Sequence, residues 1–172
     1  NSDTHGGDTI TTYLTGTTIY ALLFNGVDMF FATGTLVQRF NYPTNQWQTL
    51  QASDAPMSVA FLNTLQVDFN GALWAQFGRT IGPLYKYQSG TWTQYPGNVL
   101  DRNITPQSIS GQNYIWINGY GNYLQVTNDG SQWQSFSTSD GAAGSSGWDT
   151  AVDSLGRKWI TCGETSQCGV NR

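Results

Sequence analysis

Apolar and polar residues alternate in short runs along the chain, and no window sustains the three-and-four spacing of an amphipathic helix. Gly, Asn, Asp and Pro bound the runs, which therefore read as short strands joined by turns. The clearest set lies mid-chain. Ser58 to Asp68 holds an inner strand with Val59, Phe61, Leu65 and Val67 on its apolar positions. Leu73 to Phe77, Leu84 to Gln88 and Thr91 to Tyr95 follow as second, third and fourth strands. Asn70-Gly71 predicts a tight hairpin with both central residues at positive φ, and Ser89-Gly90 a second turn.

The same order recurs. Thr18 to Phe24, Met29 to Thr33, Leu36 to Phe40 and Gln46 to Leu50 form an earlier set. Gln107 to Ser110, Tyr114 to Asn118, Tyr123 to Thr127 and Gln132 to Phe136 form a later one. The last set has Asp149 to Asp153, Lys158 to Cys162 and Cys168 to Asn171, and lacks a fourth strand. Asp8 to Leu14 could supply it and so join the ends of a ring.

A marker accompanies the repeat: Asp, two residues, Gly, two residues, Trp. It is complete at Asp68-Phe69-Asn70-Gly71-Ala72-Leu73-Trp74 and at Asp153-Ser154-Leu155-Gly156-Arg157-Lys158-Trp159. Ser110 to Trp116 is a third copy with Asn113 in the Gly place, and Asn25 to Phe30 a decayed fourth. Trp74 and Trp116 are 42 residues apart, Trp116 and Trp159 43 apart, and 43 before Trp74 stands Phe31. A fixed period of this length means one β unit repeated and stacked, each copy burying a face of its neighbour. Four such units account for the 172 residues, at about 15–53, 54–100, 101–140 and 141–172 with 1–14, within one domain. The fold class is all-β, a β-propeller of four-stranded blades, with a β-sandwich as the fallback.

The mid-chain unit, Asp68 to Trp74 followed by Gly82-Pro-Leu-Tyr-Lys-Tyr87 and Gly90-Thr-Trp92-Thr-Gln-Tyr95-Pro-Gly97, resembles two repeat families. One is the tectonin-type propeller repeat of lectins. The other is the repeat of sensor propellers in two-component regulators. The resemblance is full over Asp68 to Gly97 and partial elsewhere. It implies a β-propeller and, for the tectonin branch, glycan binding; it implies no catalytic residue. These families usually close with more than four blades, so this chain is a four-bladed ring, part of a larger ring, or a subunit that completes one by association. Thr127 to Trp133 resembles an Asp-box turn, a turn-stabilising device.

Composition narrows the function classes. Charged residues make up 10% of the chain, against about 25% in an average domain. Thr, Ser, Asn, Gln and Gly supply the polarity instead. Net charge is −4 and the seven basic residues are scattered, which argues against a nucleic-acid partner. No apolar run approaches the roughly 20 residues of a spanning helix, so membrane insertion is not expected. His5 is the one histidine, leaving no triad and no zinc set. Asp68 and Asp153 sit at equivalent turn positions, where bonding to backbone is the ordinary role. The chain is expected to be no enzyme and to need no cofactor or metal.

Aromatics reach 14% and stand beside many amides and hydroxyls. A sugar site uses that pairing: a ring face stacks on Trp or Tyr, and amides and carboxylates bond the hydroxyls. Trp74, Trp116 and Trp159 are expected between blades, with Trp47, Trp92 and Trp133 also structural. Trp148 follows the Gly/Ser stretch 137–147, expected as a mobile loop, and is a ligand candidate. Tyr42, Tyr85, Tyr120 and Tyr123 are candidates at turns or rims. Tyr120-Gly121-Asn122-Tyr123 reads equally as a sugar platform, with Asn122 as hydroxyl partner, and as an edge-capping turn. The expected function is secreted, lectin-like recognition of a glycan or glycoprotein surface. The alternative is a structural subunit of an extracellular appendage, capsid or adhesive assembly, with a homo-oligomer possible in either case.

Cys162 and Cys168 close a short loop, as a structural disulfide or as two free thiols; the disulfide, expected, implies an oxidising compartment. Asn103-Ile104-Thr105 is a glycosylation sequon. The opening Asn1-Ser2-Asp3 is expected as a processed mature end, the alternative being a cut in a longer chain. If the cysteines pair, alkylation without reductant leaves the intact mass unchanged, and alkylation after reduction adds two groups; mass spectrometry reads the difference.

Overall fold

The computed structural model describes residues 2–5, 8–11, 16–33, 36–50, 62–77, 82–120, 122–162 and 170–171. All ladders among them are antiparallel. After the hairpin β1 (Ser2–His5) and β2 (Asp8–Thr11), the first blade runs β3 (Ile19–Asn25), β4 (Asp28–Thr33), β5 (Leu36–Asn41), β6 (Gln46–Thr49). The second holds β7 (Leu62–Val67), β8 (Leu73–Phe77), β9 (Gly82–Gln88) and the start of β10 (Thr91–Ile109). The 19-residue β10 pairs with β9 through its first half and with β11 (Gln112–Tyr120) through its second. It thus leaves the second blade as the outermost strand and enters the third as the innermost. β12 (Asn122–Thr127) and β13 (Gln134–Phe136) complete the third blade. The fourth has β14 (Gly147–Val152), β15 (Lys158–Cys162) and β16 (Val170–Asn171). The result is all-β and propeller-like.

The expected strand near Asp8 exists, but β2 pairs with β1. A junction of this strand with the last sheet is not formed among the described residues. A local hairpin closes a far shorter loop than a link across the whole chain, and so costs less entropy.

Each seam between blades is a core of its own. Phe30, Ala32, Val37 and Leu50 of the first blade meet Leu65, Leu73, Ala75, Tyr85 and Trp92 of the second. Trp74 and Leu84 of the second meet Ile104, Ile115 and Ile117 of the third. Trp116, Leu124 and Val126 of the third meet Ile160 of the fourth. Burying each indole contributes roughly 3 kcal/mol.

The Asp of the repeat marker explains its spacing. Asp68 Oδ1 accepts the backbone N–H of Asn70 (2.8 Å) and Ala72 (2.9 Å), and Oδ2 accepts the Trp74 indole N–H at 2.8 Å. Gly71, at φ 77°, takes the left-handed position. The expected tight turn with two positive-φ residues is therefore not the one formed; the carboxylate holds a longer turn with a single left-handed glycine. Asp153 repeats the arrangement, accepting from Leu155 N, Arg157 N and the Trp159 indole. The third blade turns differently: Ser110 and Gly111 both adopt positive φ in a two-residue hairpin, so Asn113 does not act as the Gly. The first blade also uses a two-residue turn, pairing Asn25 with Asp28. Phe30, not Phe31, faces the next blade.

The Asp-box-like stretch behaves as a turn device. Asp129 Oδ1 accepts Ser131 N and Gln132 N, and Thr127 Oγ1 accepts Gly130 N. Asp68→Ala strands two backbone N–H groups and a buried indole N–H. It is expected to cost about 3 kcal/mol in urea unfolding, from the typical penalty for unpaired buried donors, while Asp153→Ala, at an exposed turn, costs clearly less.

Candidate functional site

A cleft of about 440 Å³ opens between the third and fourth blades. Its floor is apolar: Trp116 from β11, Leu124 from β12, Phe136 from β13 and Ile160 from β15. The Trp116 and Phe136 rings stack with centroids 6.0 Å apart. Two turns form the mouth. One is Ser137 to Ala142, where a one-turn 3-10 helix (Thr138–Asp140) carries a reciprocal cap between Ser137 and Asp140 and ends on Gly141 at φ 94°. This stretch was expected as a mobile loop; its Ser and Asp side chains bond its own backbone and give it a defined turn. The other is the Asp153 turn, which delivers Gly156, Arg157 and Lys158.

Polar bonds lock the cleft's wall. Gln107 Oε1 accepts the Trp116 indole N–H at 2.9 Å, and Gln107 Nε2 donates to the Gly156 carbonyl at 3.1 Å. Gln107 thus replaces the Asp missing from this repeat and also ties the blades together. A Cβ at Gly156 would lie 3.3 Å from that amide, and the residue stands at φ 76°. Nearby, the hydroxyl of Thr105 donates to the Thr150 carbonyl, the amide of Asn118 donates to the Thr150 hydroxyl, and Asn103 donates to Asp149. Both polar side chains of the Asn103-Ile104-Thr105 sequon are therefore engaged in this seam.

The Lys158 ammonium sits 4.4 Å from the centre of the Trp116 ring, and burial lowers its pKa. Among the described residues it has no acidic partner. Arg157 beside it is bound through Nε to Asp153 at 2.6 Å. The corresponding groove between the first and second blades, about 500 Å³, differs in charge. There Arg39 is neutralised by Asp28 at 2.7 Å, and Asn41 also donates to that carboxylate.

Of the six predicted ligand residues, the three whose side chains are described, Trp148, Tyr42 and Tyr85, do not line the third-to-fourth cleft. Trp148 is the second residue of β14 and is exposed; Tyr42 is exposed at the turn between β5 and β6. Tyr85 is in the first seam's core rather than at a rim, because its position on β9 faces the first blade. Tyr120, Asn122 and Tyr123 flank the hairpin joining β11 to β12, and their side chains lie outside the described residues, as does Cys168. The sequence does carry a signal for the cleft. Arg157 and Lys158 occupy the marker positions held by Ala72 and Leu73 in the second blade, both buried. A charged pair in a repeat slot that is elsewhere core marks a seam that is not sealed.

No family model and no curated protein matches the sequence. Solved structures do. The extracellular domain of a hybrid two-component system from B. thetaiotaomicron is similar at 16% identity and TM-score 0.65, over 91% of this chain and 24% of that one. YCF48 from Cyanidioschyzon merolae is similar at 15% identity and TM-score 0.58, over 92% of this chain and 56% of that one. A luciferin-regenerating enzyme is similar at 12% identity and TM-score 0.59, over 83% of this chain and 54% of that one. The likeness is one of fold. The chain spans about a quarter of the first and little more than half of the others. Among the described residues no helix is long and apolar enough to cross a membrane.

Hydrogen bonds from Trp159 and Arg157 hold the Asp153 carboxyl well below the usual carboxylate range, and the Arg39 bond lowers Asp28 likewise. Folded pKa values below the unfolded one add stability above about pH 4 that is lost as pH falls. Melting temperature is therefore expected to drop from pH 6 to pH 3, and Asp153→Asn to flatten part of that drop; calorimetry across the range checks it.

Proposed function

We propose that the chain is an extracellular, non-catalytic binding domain that recognises a glycan in the cleft between its third and fourth blades. The carrying observation is the apolar floor of stacked Trp116 and Phe136 with the Lys158 ammonium lying over the Trp116 ring. An apolar ring face offers what the axial C–H groups of a sugar need. Lys158 brings a half-buried donor that has no acidic partner among the described residues, and Ser137 stands at the mouth. The cleft has the concave, mostly apolar form of a small-molecule site.

Two further observations support this reading. The similar B. thetaiotaomicron structure is the extracellular domain of a hybrid two-component system, a sensor protein, which is in keeping with a binding role. The carboxylate at the mouth, Asp140, accepts bonds from Ser137 N and Oγ, and Asp153 holds its own turn, so neither is disposed as an acid–base pair.

A glycan array followed by calorimetry tests the proposal. A hit is expected to quench Trp fluorescence and to weaken about tenfold or more in Lys158→Ala, the worth of a hydrogen bond to a charged group. An array without hits at high protein concentration removes the glycan reading.

A further inference from the structure

Among the described residues Lys158 is a cation without a counter-charge, and this narrows the class of ligand that suits the cleft between the third and fourth blades. The charged residues lining the cleft are Asp140, Arg157 and Lys158. Arg157 is answered by Asp153, whose Oδ2 accepts its Nε–H at 2.6 Å. The Asp140 carboxylate is exposed at the mouth, where it accepts Ser137 N at 2.9 Å and Ser137 Oγ at 3.0 Å. Water and salt screen a charge in that position. Lys158 is different: it is half-buried, and its ammonium lies 4.4 Å from the centre of the Trp116 ring. Burial lowers its pKa, as expected of a cation that has lost water without gaining a carboxylate.

A ring face is a weak substitute for an anion. A cation–π contact gives an ammonium less than the charge-assisted hydrogen bond it makes to a carboxylate or sulfate oxygen. The cleft therefore gains most from a ligand that brings the missing negative group. The groove between the first and second blades offers the contrast, since its cation, Arg39, already holds Asp28 at 2.7 Å. The whole chain carries a net charge of −4, which repels anions in general. A preference for an acidic ligand would thus be local to Lys158. We propose that the cleft takes an acidic glycan, whose carboxylate or sulfate group binds the Lys158 ammonium while a sugar ring lies against the apolar floor. This rests on the glycan reading of the cleft and narrows it. An ammonium has three N–H donors, so Lys158 can bond an acid oxygen and sugar hydroxyls together.

The test is an array of matched glycan pairs that differ only in the acid group, probed at one protein concentration. One arm sets uronic acids against the parent hexoses, the other sulfated against unsulfated sugars, which separates the two sources of charge. The acidic member of a pair is expected to bind about tenfold to a hundredfold tighter, the worth of a hydrogen bond between charged groups. Calorimetry on the best acidic hit and its neutral counterpart then follows that ratio in variants. Lys158→Met, which keeps the apolar stem, and Lys158→Gln are each expected to remove the preference, and Lys158→Arg to keep most of it. An unchanged far-ultraviolet dichroism spectrum shows that folding is retained. Lys86 is the control: its ammonium lies 5.2 Å from the centre of the Trp74 ring, outside the cleft, and Lys86→Met is expected to leave the ratio unchanged. Equal binding within pairs, or hits confined to neutral sugars, overturns the acid preference while the glycan reading stands. A preference that survives Lys158→Met, or falls as much in Lys86→Met, overturns the role of Lys158. An array without hits of either kind removes the glycan reading and the acid preference with it.

Discussion

A four-stranded sheet with apolar side chains on both faces cannot stand in water, and the whole structure follows from covering those faces in series. In each inner seam a large side chain from the second strand reaches across to the next blade: Phe30, Trp74, then Trp116. An indole carries a polar N–H into that core, and a buried donor must be bonded. The chain solves this in unlike ways. Asp68 uses one carboxylate for the turn and the indole together, whereas Gln107, on the neighbouring strand, takes over where the Asp is missing. Trp92, from an outer strand, donates instead to the Leu50 carbonyl of the preceding blade.

The cleft is a consequence of one seam being imperfectly sealed. Where the second blade offers Ala72 and Leu73, the fourth offers Arg157 and Lys158. A lysine cannot be fully buried without a partner, so its ammonium lies over the Trp116 face, where the ring's negative quadrupole offsets part of the lost hydration. The space left beside it is bounded by the Ser137 turn. In the first seam a similar space is electrically closed by Asp28 and Arg39. Geometry shared by all seams is thus turned to different uses by a few charges.

Much of the fold was legible in advance, for definite reasons. Strand order could be read because alternation of period two and Gly-rich turns are local signals, and the observed strands of the first blade match the expected ones to within a residue or two. Turn types were less legible. Asn70-Gly71 has the composition of a tight hairpin, yet the Asp68 side chain overrode that preference. Phe31 stands in register by counting, yet the face turned to the next blade is that of Phe30, because pairing and not residue count sets which side chain points there. Tyr85 looked like a rim residue because it stands near a turn, although its facing direction puts it in the core.

The sequence by itself determined the period, the strand content and the aromatic anchors, because these depend on spacing and on local turn chemistry. Only the tertiary structure decided which indoles are sealed, which residues meet across a seam and where a cleft remains. Trp74, Trp116 and Trp159 are alike as sequence; burial separates them because it is a property of the neighbouring blade, and a neighbour is set by long-range packing that no local pattern encodes.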